Sequence, residues 1–234
     1  MTPRDIQKKL EKLASKNKAK ILQGFFKTGP GEYGEGDIFL GINVPVLRKI
    51  AAEHRDISLT EVKTLLKSKF HEERLAALLI LVVKYSRADV AEQKKIYQLY
   101  LKSTRHINNW DLVDVTCGHI VGEYLYDKDK QPLYDLVKSK SLWERRISIV
   151  STYAFIKRNK FSHTLKISAL LLSDEEDLIH KAVGWMLREV GKRDLPILEQ
   201  FLKKYYHKIP RTTLRYAIER FPETKRKRYL KGEI

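Results

Sequence analysis

Cysteine is nearly absent from this chain: Cys117 is the only one in 234 residues. A single cysteine excludes an internal disulfide framework and any zinc site built on paired cysteines, and it fits a reducing compartment. Proline and glycine are scarce, at 7 and 11 residues, which argues against a loop-dominated or low-complexity chain. Long hydrophobic runs are missing as well. The longest, Leu75 to Val83, falls far short of the roughly 20 residues a helix needs to cross a bilayer. The segment from Met1 to Lys20 is rich in lysine and lacks an apolar core, so no secretory leader is expected. Convincing alternation with period two is lacking, which speaks against strands. Metal-ligand spacing is lacking too: His71-Glu72-Glu73 has no second histidine, and no metal or other cofactor is expected.

Acidic residues are also in deficit. Lysine and arginine number 46 against 29 acids, a formal charge of +17 and a pI near 9.7. Such a charge opposes compaction unless a polyanion is the partner. A solubilising surface, an anionic membrane or an acidic protein are the alternatives. The excess runs along the whole chain rather than sitting in a tail, and that favours nucleic acid. A hydrophobic fraction of 43% suffices for a substantial core. The expectation is one domain over residues 1–234, cytoplasmic, monomeric and nucleoid-associated when bound to DNA.

What is present is helical periodicity. It predicts helices over Pro3 to Gln23, Val46 to His54 behind Pro45, Leu59 to Lys67, Glu72 to Tyr85, Val90 to Ser103 and Asn108 to about Tyr126. Further helices are predicted over Pro132 to Lys138, Trp143 to Lys157, Thr164 to Leu172, Glu175 to Val190, Leu195 to Tyr206 and Thr212 to Phe221. Ser173-Asp174 suits a helix start and Pro196 a first turn. Arg74, Asp111, Arg146, Lys181 and Arg215 recur in step, at spacings of 37, 35, 35 and 34 residues. Self-similarity at that period marks stacked helical pairs. The reading is all-α: a superhelical solenoid of about six antiparallel helix pairs, with the in-step residues sharing a basic concave face.

Several motifs call for weighing. Gly29-Pro30-Gly31-Glu32-Tyr33-Gly34 matches G-x-G-x-x-G literally, yet no strand precedes it, so it is read as a surface loop. In Asn109-Trp110-Asp111-Leu112-Val113-Asp114, Asp111 suits a capping-box partner for an N-cap at Asn108. Asp114 has no such role. It lies among Leu112, Val113 and Val115, where a carboxylate is costly unless it faces a groove or pairs with Arg146. Trp110 stands four residues before it, on the same helical face. In Lys181-Ala182-Val183-Gly184-Trp185-Met186-Leu187-Arg188, glycine opens space beside Trp185, and Lys181 and Arg188 straddle it. The basic run Lys225-Arg226-Lys227-Arg228 is either a solvated helix end or a phosphate contact.

Those motifs, with Trp143-Glu144-Arg145-Arg146 and Phe39-Leu40-Gly41-Ile42-Asn43-Val44-Pro45-Val46-Leu47-Arg48, resemble the AlkD-type DNA alkylation repair family from about Phe39 to Phe221. The resemblance implies HEAT-like repeats and monofunctional glycosylase activity on N3- and N7-alkylated purines in double-stranded DNA. It implies Asp114 as catalytic carboxylate, Trp110 and Trp185 as aromatic walls, and Arg146 as a phosphate contact. Lys181, Arg188 and Arg215 are the further candidates for binding DNA phosphates. Asn109 departs from relatives that carry a second aromatic there, and the loop from Gly29 to Gly36 marks a subgroup. The alternative is a non-catalytic helical-repeat protein that binds damaged or branched DNA through the same basic face.

Overall fold

The computed structural model describes residues 2–233 and is all-helical; among these residues the only β-type pairing is an isolated bridge between Ile38 and Phe70. The chain forms two compact units, Met1–Ile120 and Val121–Ile234. The first contains α1 (Pro3–Leu13), α2 (Lys16–Phe25), α3 (Val44–Glu53), α4 (Leu59–Leu65), α5 (His71–Tyr85), α6 (Val90–Lys102) and α7 (Trp110–Asp114). The second contains α8 (Glu123–Leu125), α9 (Gln131–Val137), α10 (Leu142–Ser151), α11 (Tyr153–Ile156), α12 (Ser162–Leu170), α13 (Asp177–Gly191), α14 (Leu195–Tyr205), α15 (Arg211–Ala217) and α16 (Glu223–Lys231). No helix among the described residues is long and apolar enough to cross a membrane.

Each unit is organised around one central helix. In the first it is α5, whose run from His71 to Leu81 is inaccessible and which packs against α1, α3, α4, α6 and α7. A helix apolar on every side belongs in the middle of a packed array. In the second unit α13 takes that place, against α10, α12, α14 and α15. Gly184 permits a close approach of α15. A Cβ there would stand 2.6 Å from the Thr213 carbonyl oxygen and overlap the Tyr216 Cβ. The space expected beside Trp185 is therefore filled by the backbone of α15.

Three long predicted helices are interrupted where backbone or hydroxyl groups find other partners. The first breaks at Ala14, whose extended backbone lets Ser15 cap α2 and donate its N–H to the Leu40 carbonyl at 2.8 Å. The central one ends after Asp114 and resumes through a π-turn at Gly118–Gly122, where Gly122 lies hard against the Ser151 carbonyl. The helix beginning near Trp143 breaks at Thr152, whose hydroxyl donates to the Ile149 carbonyl at 2.7 Å. Polar side chains that bond the neighbouring backbone compete with helix propagation, a competition that apolar periodicity does not register. Ser173-Asp174 does not start a helix: α13 begins at Asp177, and Asp174 pairs with Arg145 at 2.6 Å. The basic C-terminal run lies within α16.

Candidate functional site

The motif from Asn109 to Asp114 forms α7, and the position of this short helix is set at its head. Asn109, fully buried, is the N-cap, and its side-chain oxygen accepts from Trp110 N–H at 2.9 Å. Asn108 is not the cap; its side-chain oxygen accepts from Arg74 at 3.1 Å. Nor is Asp111 a capping-box partner. Its Oδ1 accepts from Leu112 N–H and its Oδ2 meets His71 Nε2, both at 2.8 Å. A carboxylate buried this deeply gains more from a cationic ring than a solvated cap returns.

His71 opens α5 and joins two carboxyl groups. Its Nδ1 lies 2.7 Å from Asp37 and its Nε2 2.8 Å from Asp111. Arg74, one turn later, donates to the other Asp37 oxygen at 2.7 Å. Burial alone would lower the His71 pKa, but Asp111 and Asp37 outweigh it and raise it from 6.5 to about 9. The ring is therefore an imidazolium at neutral pH. Burial would likewise raise Asp37; its bonds and charge contacts with His71 and Arg74 overcome this and hold it below the ordinary carboxylate range. Two carboxyl groups and two cations share the site, which is how buried charge is tolerated.

An aromatic column closes the same ring of contacts. Phe39 stacks on the His71 imidazolium at 4.2 Å, Phe26 on Phe39 at 4.9 Å, and Trp110 on Phe26 at 4.9 Å, while Phe25 meets Trp110 edge-on at 5.9 Å. A cation at one end adds an electrostatic component to the stack. Trp110 is half-buried, and its indole N–H donates to the Tyr33 hydroxyl at 3.3 Å. α7 is thus held twice, through Trp110 and through Asp111.

The glycine-rich segment is a loop, as expected. Its amides are occupied by its own glutamates: Gly29 N–H donates to Glu32 at 2.9 Å and Gly31 N–H to Glu35 at 3.0 Å. A phosphate cradle would need those donors. The following segment is seized by Glu72, which accepts from the N–H groups of Leu40, Gly41 and Ile42 at 2.8, 2.7 and 3.1 Å. Gly41 has a φ of 83°, and a Cβ there would stand 2.6 Å from the Ala19 nitrogen. Close backbone packing and a left-handed conformation both require glycine at this point.

Asp114 ends α7 and is partly accessible. Its charge, after burial and Cys117, helps raise the pKa of the buried Tyr100 hydroxyl, which bonds Thr116 at 2.9 Å. The other sequence candidates lie in the second unit. Trp185 is half-buried on α13, 6.3 Å from the Tyr153 ring. Lys181, one turn before it, pairs with Asp177 at 2.7 Å. Arg188, on the same helix, pairs with Glu219. Arg146 is buried on α10 and donates to the Leu178 carbonyl, which ties α10 to the first turn of α13. Arg215 is exposed on α15. Arg146, Lys181, Trp185 and Arg188 are therefore carried by two helices in direct contact.

With this geometry in place, residues 6–221 match the family model described as DNA alkylation repair enzyme. The chain belongs to that family. Its fold is that of a predicted DNA alkylation repair enzyme from Enterococcus faecalis (TM-score 0.70, 16% identity, 90% of this chain and 97% of the other). AlkD2 from Streptococcus mutans is also similar (TM-score 0.56, 16% identity, 89% and 99%), as is a further protein of S. mutans UA159 (0.54, 17%, 94% and 99%). No curated protein sequence matches the chain. For this member of the repair family, sequence reasoning missed the buried group of Asp37, His71, Glu72 and Arg74. One signal was available: four consecutive ionisable residues, His71-Glu72-Glu73-Arg74, head the most apolar helix, where uncompensated charge is not tolerated.

Proposed function

We propose that this protein is a DNA glycosylase that hydrolyses the N-glycosidic bond of N3- or N7-alkylated purines in duplex DNA, with Asp114 as the catalytic carboxylate. The observation that carries this reading is the contrast within α7: Asp111 is buried against His71, while Asp114 stays partly accessible at the C-terminal end. A negative charge gains nothing from the dipole at that end of a helix, so its position there is not one that helix stability selects. The double anchoring of α7 gives the carboxylate a fixed origin, which electrostatic catalysis requires.

The alkylated purine is already cationic and departs as a neutral base without a general acid. As the bond breaks, positive charge develops on the deoxyribose. A carboxylate about 4 Å away, at an effective dielectric near 20, stabilises that charge by roughly 4 kcal/mol, or about three decades of rate. Water adds to the sugar carbon, and its proton passes to the carboxylate. Trp110, one turn before Asp114 on α7, and, in the second unit, Trp185 each offer an aromatic face for cation–π contact worth on the order of 1 kcal/mol. Lys181, Arg188 and Arg215 neutralise phosphates, making binding salt-sensitive and independent of sequence, while Arg146, buried and bonded to Leu178, positions α13 beneath them.

The test is release of 7-methylguanine and 3-methyladenine from methylated duplex DNA. Asp114→Asn is expected to slow release by about three decades while DNA binding persists. Equal release by both proteins would remove Asp114 from the mechanism. No release by the wild type would favour the non-catalytic DNA-binding reading.

A further inference from the structure

A polar cleft of about 200 Å3 in the first unit takes no part in the catalytic reading. Lys69, Arg74 and Arg105 line it together with Ser68, His106 and Asn108. Arg74 is buried, and three acceptors hold its guanidinium: Asp37 at 2.7 Å, the Ser68 carbonyl at 3.0 Å and Asn108 at 3.1 Å. Its Nε–H has no acceptor. That nitrogen is itself buried, so Arg74 contributes a fixed positive charge beneath the cleft, and direct contact with a ligand falls to the exposed Lys69 and Arg105.

The carboxylates at the cleft are already engaged, Asp37 by His71 and Arg74, and Glu35 by the Gly31 amide at 3.0 Å. Lys69, Arg74 and Arg105 nevertheless outnumber the carboxylates of Glu35 and Asp37, so net positive charge remains. His106 registers it: burial, and then the charges of Arg105, Arg74 and Lys67, lower its pKa, and its Nε2 accepts from Arg105 at 3.0 Å. Lys69 and Arg105 are exposed at the rim. A small-molecule site encloses most of its ligand, whereas an open basic cleft suits a phosphate presented on a polymer.

We propose that this cleft binds a phosphodiester group of the DNA backbone, with Arg74, Lys69 and Arg105 as its cationic partners. The inference rests on DNA as the substrate of the family and not on the glycosylase chemistry, so it is tested on undamaged duplex DNA. The Lys69→Ala/Arg105→Ala variant removes only exposed side chains. Losing this one phosphate contact makes the slope of log K against log salt less negative by about 0.9. Between roughly 50 and 200 mM salt, the variant's Kd then rises about 3.5-fold less than that of the wild type. The His106 ring resonances, followed by NMR, are expected to move on adding either this DNA or inorganic phosphate. An unchanged slope would overturn the proposal. If inorganic phosphate moves His106 while the slope stays unchanged, the cleft takes a free phosphate, and the backbone assignment is likewise overturned.

Discussion

The His71 imidazolium between Asp37 and Asp111 makes the stability of this protein depend on pH in a window that can be worked out beforehand. The folded pKa is raised from 6.5 to about 9 by the two carboxylates, against the cost of burial. A group whose folded pKa is raised contributes its full stabilisation below the unfolded pKa and loses it as pH climbs to the folded value. At about 1.4 kcal/mol per unit, the contribution is about 3 kcal/mol below pH 6.5, falling steadily to nothing near pH 9. A whole domain has only about 5–15 kcal/mol, so the effect is measurable. Urea unfolding followed by circular dichroism, at half-unit steps from pH 6 to 9.5, should show this slope in the wild type. His71→Gln cannot carry the charge or bridge two carboxylates. It should lose about 3–5 kcal/mol at pH 6, and the difference from the wild type should shrink as pH rises. A wild type and variant with parallel pH profiles would refute the assignment of a charged, bridging His71.

Three further outcomes follow from the same geometry. Glu72→Ala leaves the buried amides of Leu40, Gly41 and Ile42 without their acceptor; at about 1–3 kcal/mol per unsatisfied group, a loss of at least 3 kcal/mol is expected by chemical denaturation. Gly184→Ala drives a methyl group into the Thr213 carbonyl and should cost more than about 2 kcal/mol. Gly24→Ala, in α2 with open space around the new atom, should raise stability by up to about 1 kcal/mol. Equal effects at the two glycines would show that helix propensity, and not the packing of α13 on α15, decides the outcome.

Much of this architecture is legible along the chain. Apolar residues recurring at helical spacing located nearly every helix, because the face a helix buries has to be apolar whatever it packs against. Pro45 and Pro196 marked first turns for an equally local reason, the fixed φ of proline. The interruptions at Ser15, Gly118–Gly122 and Thr152 were not legible. Each depends on a hydroxyl or backbone group finding a partner that periodicity does not encode.

The sequence by itself determined that the protein is helical, basic and of the DNA alkylation repair family, and it singled out α7 by an acidic pair in a cationic chain. Composition and short-range spacing are local properties, and they survive without coordinates. The motif already set Asp111 apart from Asp114, but only the tertiary structure showed that Asp111 is spent on His71 and not on a helix cap. Asp111 is three residues from Asp114 in sequence, but its partner His71 is 40 residues away. The same holds for Asp37 on Arg74, and for Glu72 on the amides of Leu40 to Ile42. Buried charges are compensated by whatever the fold brings beside them, and contacts at such separations exist only once the chain has packed.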